Sequence, residues 1–119
     1  MSGGTRNVRI YLSQQSFALL VDTMCSFSKK TGRFQTMRMT VQAACSRLQA
    51  HSLVREDLDR FLDEYPVEGE IGVWLEVTPK WANEYDALRT RVKQLGKAQG
   101  VDRILVPFAV HLAAVRNLL

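Results

Sequence analysis

Acidic residues are nearly missing from the first fifty positions. Asp22 stands alone there against Arg6, Arg9, Lys29, Lys30, Arg33, Arg38 and Arg47. Histidine and cysteine are scarce, with two of each. His51 and His111 lie far apart without flanking ligands, and Cys25 and Cys45 match no metal or redox spacing, so no metal site is expected. The two cysteines read as free thiols buried in separate helices, as suits a reducing cytoplasm, the expected location. No apolar run is long enough to cross a bilayer, and no membrane partner is expected. The stretch from Ile104 to Leu119 is broken by Pro107, His111, Arg116 and Asn117 and reads as a core helix. The opening Ser2-Gly3-Gly4 is small and polar, unlike an export signal. A nucleophile-base set is missing, and so is a glycine-rich phosphate loop with its lysine. Catalytic residues and cofactors are therefore not expected, and the chain does not read as an enzyme. The carboxylates Asp57, Asp59, Asp63 and Glu64 lie together on one charged helix instead.

What is present is enough apolar residue to fold. At 119 residues and 46% hydrophobic, the chain is one small domain or two very small ones. Its formal net charge of +4 is unevenly spread. Residues 1–50 carry seven bases against one acid, a net +6, and the remainder carries nine bases against eleven acids, a net −2. Such clustering of positive charge points to a polyanion partner.

The stretch Asn7-Val8-Arg9-Ile10-Tyr11-Leu12 alternates without a break. As a strand it puts Val8, Ile10 and Leu12 on one face and Asn7, Arg9 and Tyr11 on the other. An amide, a guanidinium and a phenol in a row suit hydrogen bonding to base edges in a DNA major groove. Ser13 is a good helix cap. Phe17, Leu20, Val21, Met24 and Phe27 then recur at helical spacing, cations at Lys29 and Lys30 suit the last turn, and Gly32 supplies a stop. This predicts a helix from about Gln14 to Lys30. After the turn Arg33-Phe34-Gln35-Thr36, a second helix carries Met37, Val41, Ala44, Cys45 and Leu48 on one side, capped by either Thr36 or Thr40. Arg33 and Arg38 flank its start, where unpaired N–H groups attract anions.

Residues Val54 to Glu64 form an acidic amphipathic connecting helix with Leu58, Phe61 and Leu62 as its apolar side. Tyr65-Pro66-Val67-Glu68-Gly69 ends it. The opening order then recurs, offset by about 65 to 68 positions. Val73–Val77 alternates as a strand, Thr78-Pro79 is a cap with proline at the first helical position, and a helix runs through Trp81, Tyr85, Leu88, Val92 and Leu95 to a stop at Lys97–Gly100. A last segment from Val101 is anchored by Leu112, Val115 and Leu118–Leu119. Pro107 either starts that last helix or lies near its first turn. Trp74 and Trp81 read as anchors of a core or an interface. The expected division is 1–50, a connecting helix and turn over 51–69, and a second strand-helix-helix-like unit over 70–119 for assembly or partner binding. The alternative for that last unit is an α+β piece of another kind.

Residues 5–50 resemble the ribbon-helix-helix family of DNA-binding proteins, the Arc-like and MetJ-like repressors. The strand Asn7–Leu12, the helix start at Ser13, Thr31-Gly32-Arg33 and the small-residue helix with Val41, Ala44 and Leu48 carry the likeness. It covers under half the chain. The resemblance implies an α+β, mostly helical fold around an intertwined antiparallel β-ribbon, with Asn7, Arg9 and Tyr11 reading bases. It also sets the start of the second helix against a phosphate, which implicates Arg33, Gln35, Thr36 and Arg38; Arg6, at the strand's start, is a further phosphate candidate. Two departures are visible: the first helix is about one turn longer than the family pattern, and Phe34-Gln35-Thr36-Met37 replaces a serine-rich helix start. A tandem pair of such units is similar to TraY-type proteins of conjugative plasmids.

A strand with one apolar face needs a partner. Either a second chain supplies another Asn7–Leu12, or Val73–Val77 supplies it within the chain, with Trp74 and Glu76 then facing outward beside Arg9. The first, a homodimer or higher homo-oligomer reading a palindromic or repeated operator, is the favoured expectation. The expected function is sequence-specific binding of double-stranded DNA in transcriptional control. The alternatives are an antitoxin-like or adaptor subunit that holds a protein through the C-terminal half, and an accessory DNA-binding factor of the relaxosome or of plasmid partition.

Overall fold

Val8, Ile10 and Leu12 do find a partner strand, and it comes from the same chain. In a computed structural model describing residues 4–96 and 100–119, β1 (Arg6–Leu12) pairs antiparallel with β2 (Ile71–Val77) in a two-stranded sheet. The favoured expectation of pairing between two copies of the first strand is thereby corrected. The reason is complementarity within one molecule. β2 carries its own alternating face, and Ile10, Leu12, Leu75 and Val77 are all buried in one core. The two strands show nearly the same sequence of exposed and buried positions at an offset of 65.

The remaining elements are α1 (Gln14–Thr31), α2 (Met37–Arg47), a single 3-10 turn at Leu48–Ala50, α3 (Arg55–Glu64), α4 (Ala82–Gln94) and α5 (Val101–Val115). Ser13 caps α1, its Oγ accepting from Ser16 N at 3.1 Å, and Gly32 closes it at φ +72°, a left-handed turn that suits glycine. Thr36 settles the start of α2: its Oγ1 accepts from Met39 N at 3.2 Å. The inward line of α1 is Ser16, Leu20, Thr23 and Phe27, while Phe17 and Val21 lie outward. The apolar stripe expected there is thus split: Leu20 and Phe27 meet the core beside Ser16 and Thr23, and Phe17 and Val21 do not.

The core is organised around α5, whose residues from Ile104 to Val110 are all buried. It packs against α1, α2, α3, α4 and β1. Tertiary packing on every side keeps this helix continuous through Pro107, seven residues in, where a hydrogen bond to the Arg103 carbonyl is forfeited. Pro107 thus does not start the helix but lies in its second turn. The α4 start also differs from expectation. Pro79 to Trp81 form a turn, Trp81 N donates to Thr78 O at 3.2 Å, and the helix begins at Ala82. Burial of the Trp81 indole holds that turn in place. The predicted stop at Lys97–Gln99 lies outside the described residues.

α3 joins the same core through Leu58 and Phe61, and Asp57 on its first turn meets Arg116 at 3.0 Å. Cys45 is buried and its thiol is pushed up to about 12, by burial first and then by the Glu84 charge. Cys25, expected inside, is exposed on α1. Both are free. Among the described residues, no helix is long and apolar enough to cross a membrane.

Candidate nucleic-acid interface

Strand alternation decides which side chains the ribbon offers outward. Asn7, Arg9 and Tyr11 emerge together on one face of β1, all exposed. The register sets Asn7 opposite Glu76, Arg9 opposite Trp74 and Tyr11 opposite Gly72. The base-reading trio expected from the sequence is therefore brought together, and β2 adds Trp74 and Glu76 to the same face. Trp74 is 61% exposed, so of the two tryptophans only Trp81 anchors the core.

Arg9 is not a loose cation. Its guanidinium carbon lies 5.1 Å from the centroid of the Tyr11 ring and 4.9 Å from that of Trp74. A guanidinium held between aromatic faces keeps its planar fork in one orientation, the condition for a bidentate contact. Gly72 makes the Tyr11 side of this arrangement compact, since a Cβ there would come within 3.3 Å of the Tyr11 ring. Among the described residues, no carboxylate pairs with Arg9.

The residues expected at phosphate divide. Arg33 and Arg38 line a groove of about 540 Å³ beside the start of α2, together with Phe34, Met39, Arg47 and Lys80. No acid lines it. Arg47 is already engaged, donating to Leu118 O at 2.6 Å and stacking over Phe27. That leaves Arg33, Arg38 and Lys80 as cations without an ion pair among the described residues. Thr36 is exposed and caps α2.

Gln35 does not present its amide outward. It is buried, its backbone N–H donates to Ser28 Oγ at 2.8 Å and its side chain donates to Thr31 Oγ1 at 3.1 Å. Gln35 ties the turn down, and Thr36 takes the N–H groups of Met39 and Thr40, which leaves those of Met37 and Arg38 as the first-turn donors of α2 without an acceptor among the described residues. Arg6 is engaged within the chain. It shares the inward parity of Val8, and its Nη2 donates to Asp86 Oδ1 on α4 at 2.8 Å.

Sequence reasoning passed over two groove residues. Phe34 is 95% exposed, an aromatic that packs on nothing. Lys80 follows β2 closely in sequence, and β2 packs against α2, whose residues line the groove with it. The arrangement offers a hydrogen-bonding and apolar comb on the ribbon and a cationic groove at a helix start. No family model, curated protein or solved structure matches the chain.

Proposed function

We propose that the chain binds double-stranded DNA in the major groove through the β1–β2 ribbon, as a ribbon-helix-helix protein whose two strand-helix-helix units lie in one polypeptide, and that it serves transcriptional control. The recurrence of strand, helix and helix supports the tandem reading. The strands share their burial pattern at an offset of 65, and α2 and α5 start 64 residues apart. The observation that carries the functional reading is the antiparallel pairing that turns Asn7, Arg9 and Tyr11 outward together. A two-stranded ribbon fits a major groove, and Arg9 has the chemistry to donate twice to guanine O6 and N7. Asn7 suits adenine, and Tyr11 adds a hydrogen bond or an apolar contact. Backbone N–H groups at the start of α2, with Arg33, Arg38 and Lys80, supply the phosphate contacts that fix register. A role in conjugation or plasmid partition would use the same surface.

Titration of labelled duplexes selected from a random pool tests this reading. Arg9→Ala is expected to lose roughly 1–3 kcal/mol of specific binding while its circular dichroism melt stays unchanged. Operator affinity equal to that of the wild type would overturn the assignment. The adaptor reading is weakened by the burial of Trp81 and by the pairing of Asp57 with Arg116, which withdraw two of the groups it would use.

A further inference from the structure

The ribbon's exposed face is built from two unlike triplets. At the offset that matches the strands' burial patterns, Asn7, Arg9 and Tyr11 correspond to Gly72, Trp74 and Glu76. Arg9 and Trp74 are at once equivalent by that offset and opposite in the register, so this pair lies at the ribbon's approximate two-fold centre. Two identical strands would set Arg opposite Arg there, a repulsive cross-strand pair. Here an indole takes one of the two places, and the guanidinium lies 4.9 Å from its centroid.

The ends of the ribbon differ too. One presents an amide beside a carboxylate, Asn7 with Glu76, and the other a phenol alone, Tyr11 over Gly72. Such a comb has no two-fold chemistry to match to a palindrome. A carboxylate on this face is repelled by phosphate, but it can accept from the cytosine N4 amine.

Trp74 adds nothing to the core, and its contact with Arg9 leaves most of the ring uncovered. It is 61% exposed and lies on the solvent side of a sheet whose other face supplies the core. An indole is a broad apolar surface with a single donor at its rim, and its ring face suits the thymine C5-methyl group.

We infer that one copy of this chain is the complete reading unit for a non-palindromic duplex site, and that Trp74 is a specificity-determining residue within it, covering a thymine methyl next to the guanine taken by Arg9. This inference rests on the DNA reading proposed above.

Selection from a random duplex library with the full chain, followed by native mass spectrometry of the bound complex, separates the possibilities. The expected result is one non-palindromic motif bound by a single chain, with a T·A pair adjoining the guanine that Arg9→Ala ceases to prefer. Trp74→Ala is expected to lose about 5- to 100-fold affinity for that motif and to abolish the preference at the T·A position, while the guanine preference weakens but persists because Arg9 keeps its Tyr11 face. Trp74→Phe keeps an apolar ring and is expected to retain part of the preference. A palindromic motif bound by two chains, or unaltered base preference in both Trp74 variants, would overturn the inference and leave the DNA reading standing. No enriched motif, with binding indifferent to Arg9→Ala, would overturn both.

Discussion

The Tyr85 hydroxyl donates a 2.6 Å hydrogen bond to Asp102 Oδ1, and the same oxygen accepts from Arg89 Nε at 3.1 Å. Tyr85 and Arg89 are one turn apart on α4, and Asp102 lies in the first turn of α5, where a carboxylate also suits the helix dipole. The cluster therefore pins the start of the central helix to its neighbour. Tyr85→Phe deletes the donor without leaving a buried one unpaired, and Arg89 still holds Asp102. We expect a loss of about 1–2 kcal/mol in urea unfolding. The tyrosine's ionisation is held above its ordinary value near 10, by burial first and then by the Asp102 bond and charge. The unfolded chain ionises at the ordinary value and the folded one does not. Stability is thus complete below about pH 10 and falls as pH rises beyond it. The phenylalanine variant should lack that alkaline component. An equal decline in both proteins would refute the argument.

Gly69 backs directly onto the turn between β1 and α1. A Cβ built on it would collide with the Leu12 carbonyl and Ser13 N, which are backbone atoms that no rotamer change can move. This close approach lets the chain enter β2 alongside the end of β1, where Leu12 pairs with Ile71. Gly69→Ala should cost ~2 kcal/mol or more, by forcing apart two segments of main chain. Gly4→Ala, in open space, is the control and should melt with the wild type. Equal stability of the two variants in a denaturant titration would show that the approach is not tight in solution.

His111 lies among Phe61 and Tyr65, with ring centroids 5.7 and 5.2 Å away. Burial holds its titration below the usual value, while the nearby Glu64 carboxylate pulls it back up. The unfolded chain therefore takes up this proton more readily than the folded one. Its contribution to stability is complete above the ordinary histidine value near 6.5 and declines as pH falls below it. His111→Gln should remove that part of the acid sensitivity. Chemical unfolding at pH 7.5 and 5.5 gives the comparison, and an identical pH dependence in both proteins would disprove the burial effect.

Local chemistry was the part of this fold that could be read in advance. Alternation marked Asn7–Leu12, a hydroxyl cap marked Ser13, and Gly32 marked the end of α1, because each signal acts within a few residues of itself. What local pattern left open or missed depends on distant parts of the chain. The partner of β1 begins about 60 residues further on, and only folding decides between it and a second copy. Pro107 survives inside α5 because four helices and a strand surround it. For the interface, the Asn7, Arg9 and Tyr11 face was legible from parity alone. The inward turn of Gln35 was not, since Ser28 and Thr31 claim it across the α1–α2 corner. Nor was the loss of Arg6 to Asp86, a partner eighty residues away.

That last contrast supports a prediction about phosphate. Arg38 lines the cationic groove without an ion pair among the described residues, whereas Arg6 is held by Asp86. A side chain that neutralises a phosphate releases counterions when DNA binds, so its removal flattens the dependence of affinity on salt. Arg38→Ala should weaken binding to selected and random duplexes alike, and reduce the slope of log K against log salt by about 1. Arg6→Ala should leave the slope in place, and it should cost little stability, because both partners of its ion pair are half-exposed. Anisotropy titrations across a salt series check both variants. A loss for Arg38→Ala confined to one sequence would move that residue from phosphate to base contact. A flattened slope for Arg6→Ala would mean that DNA draws Arg6 away from Asp86.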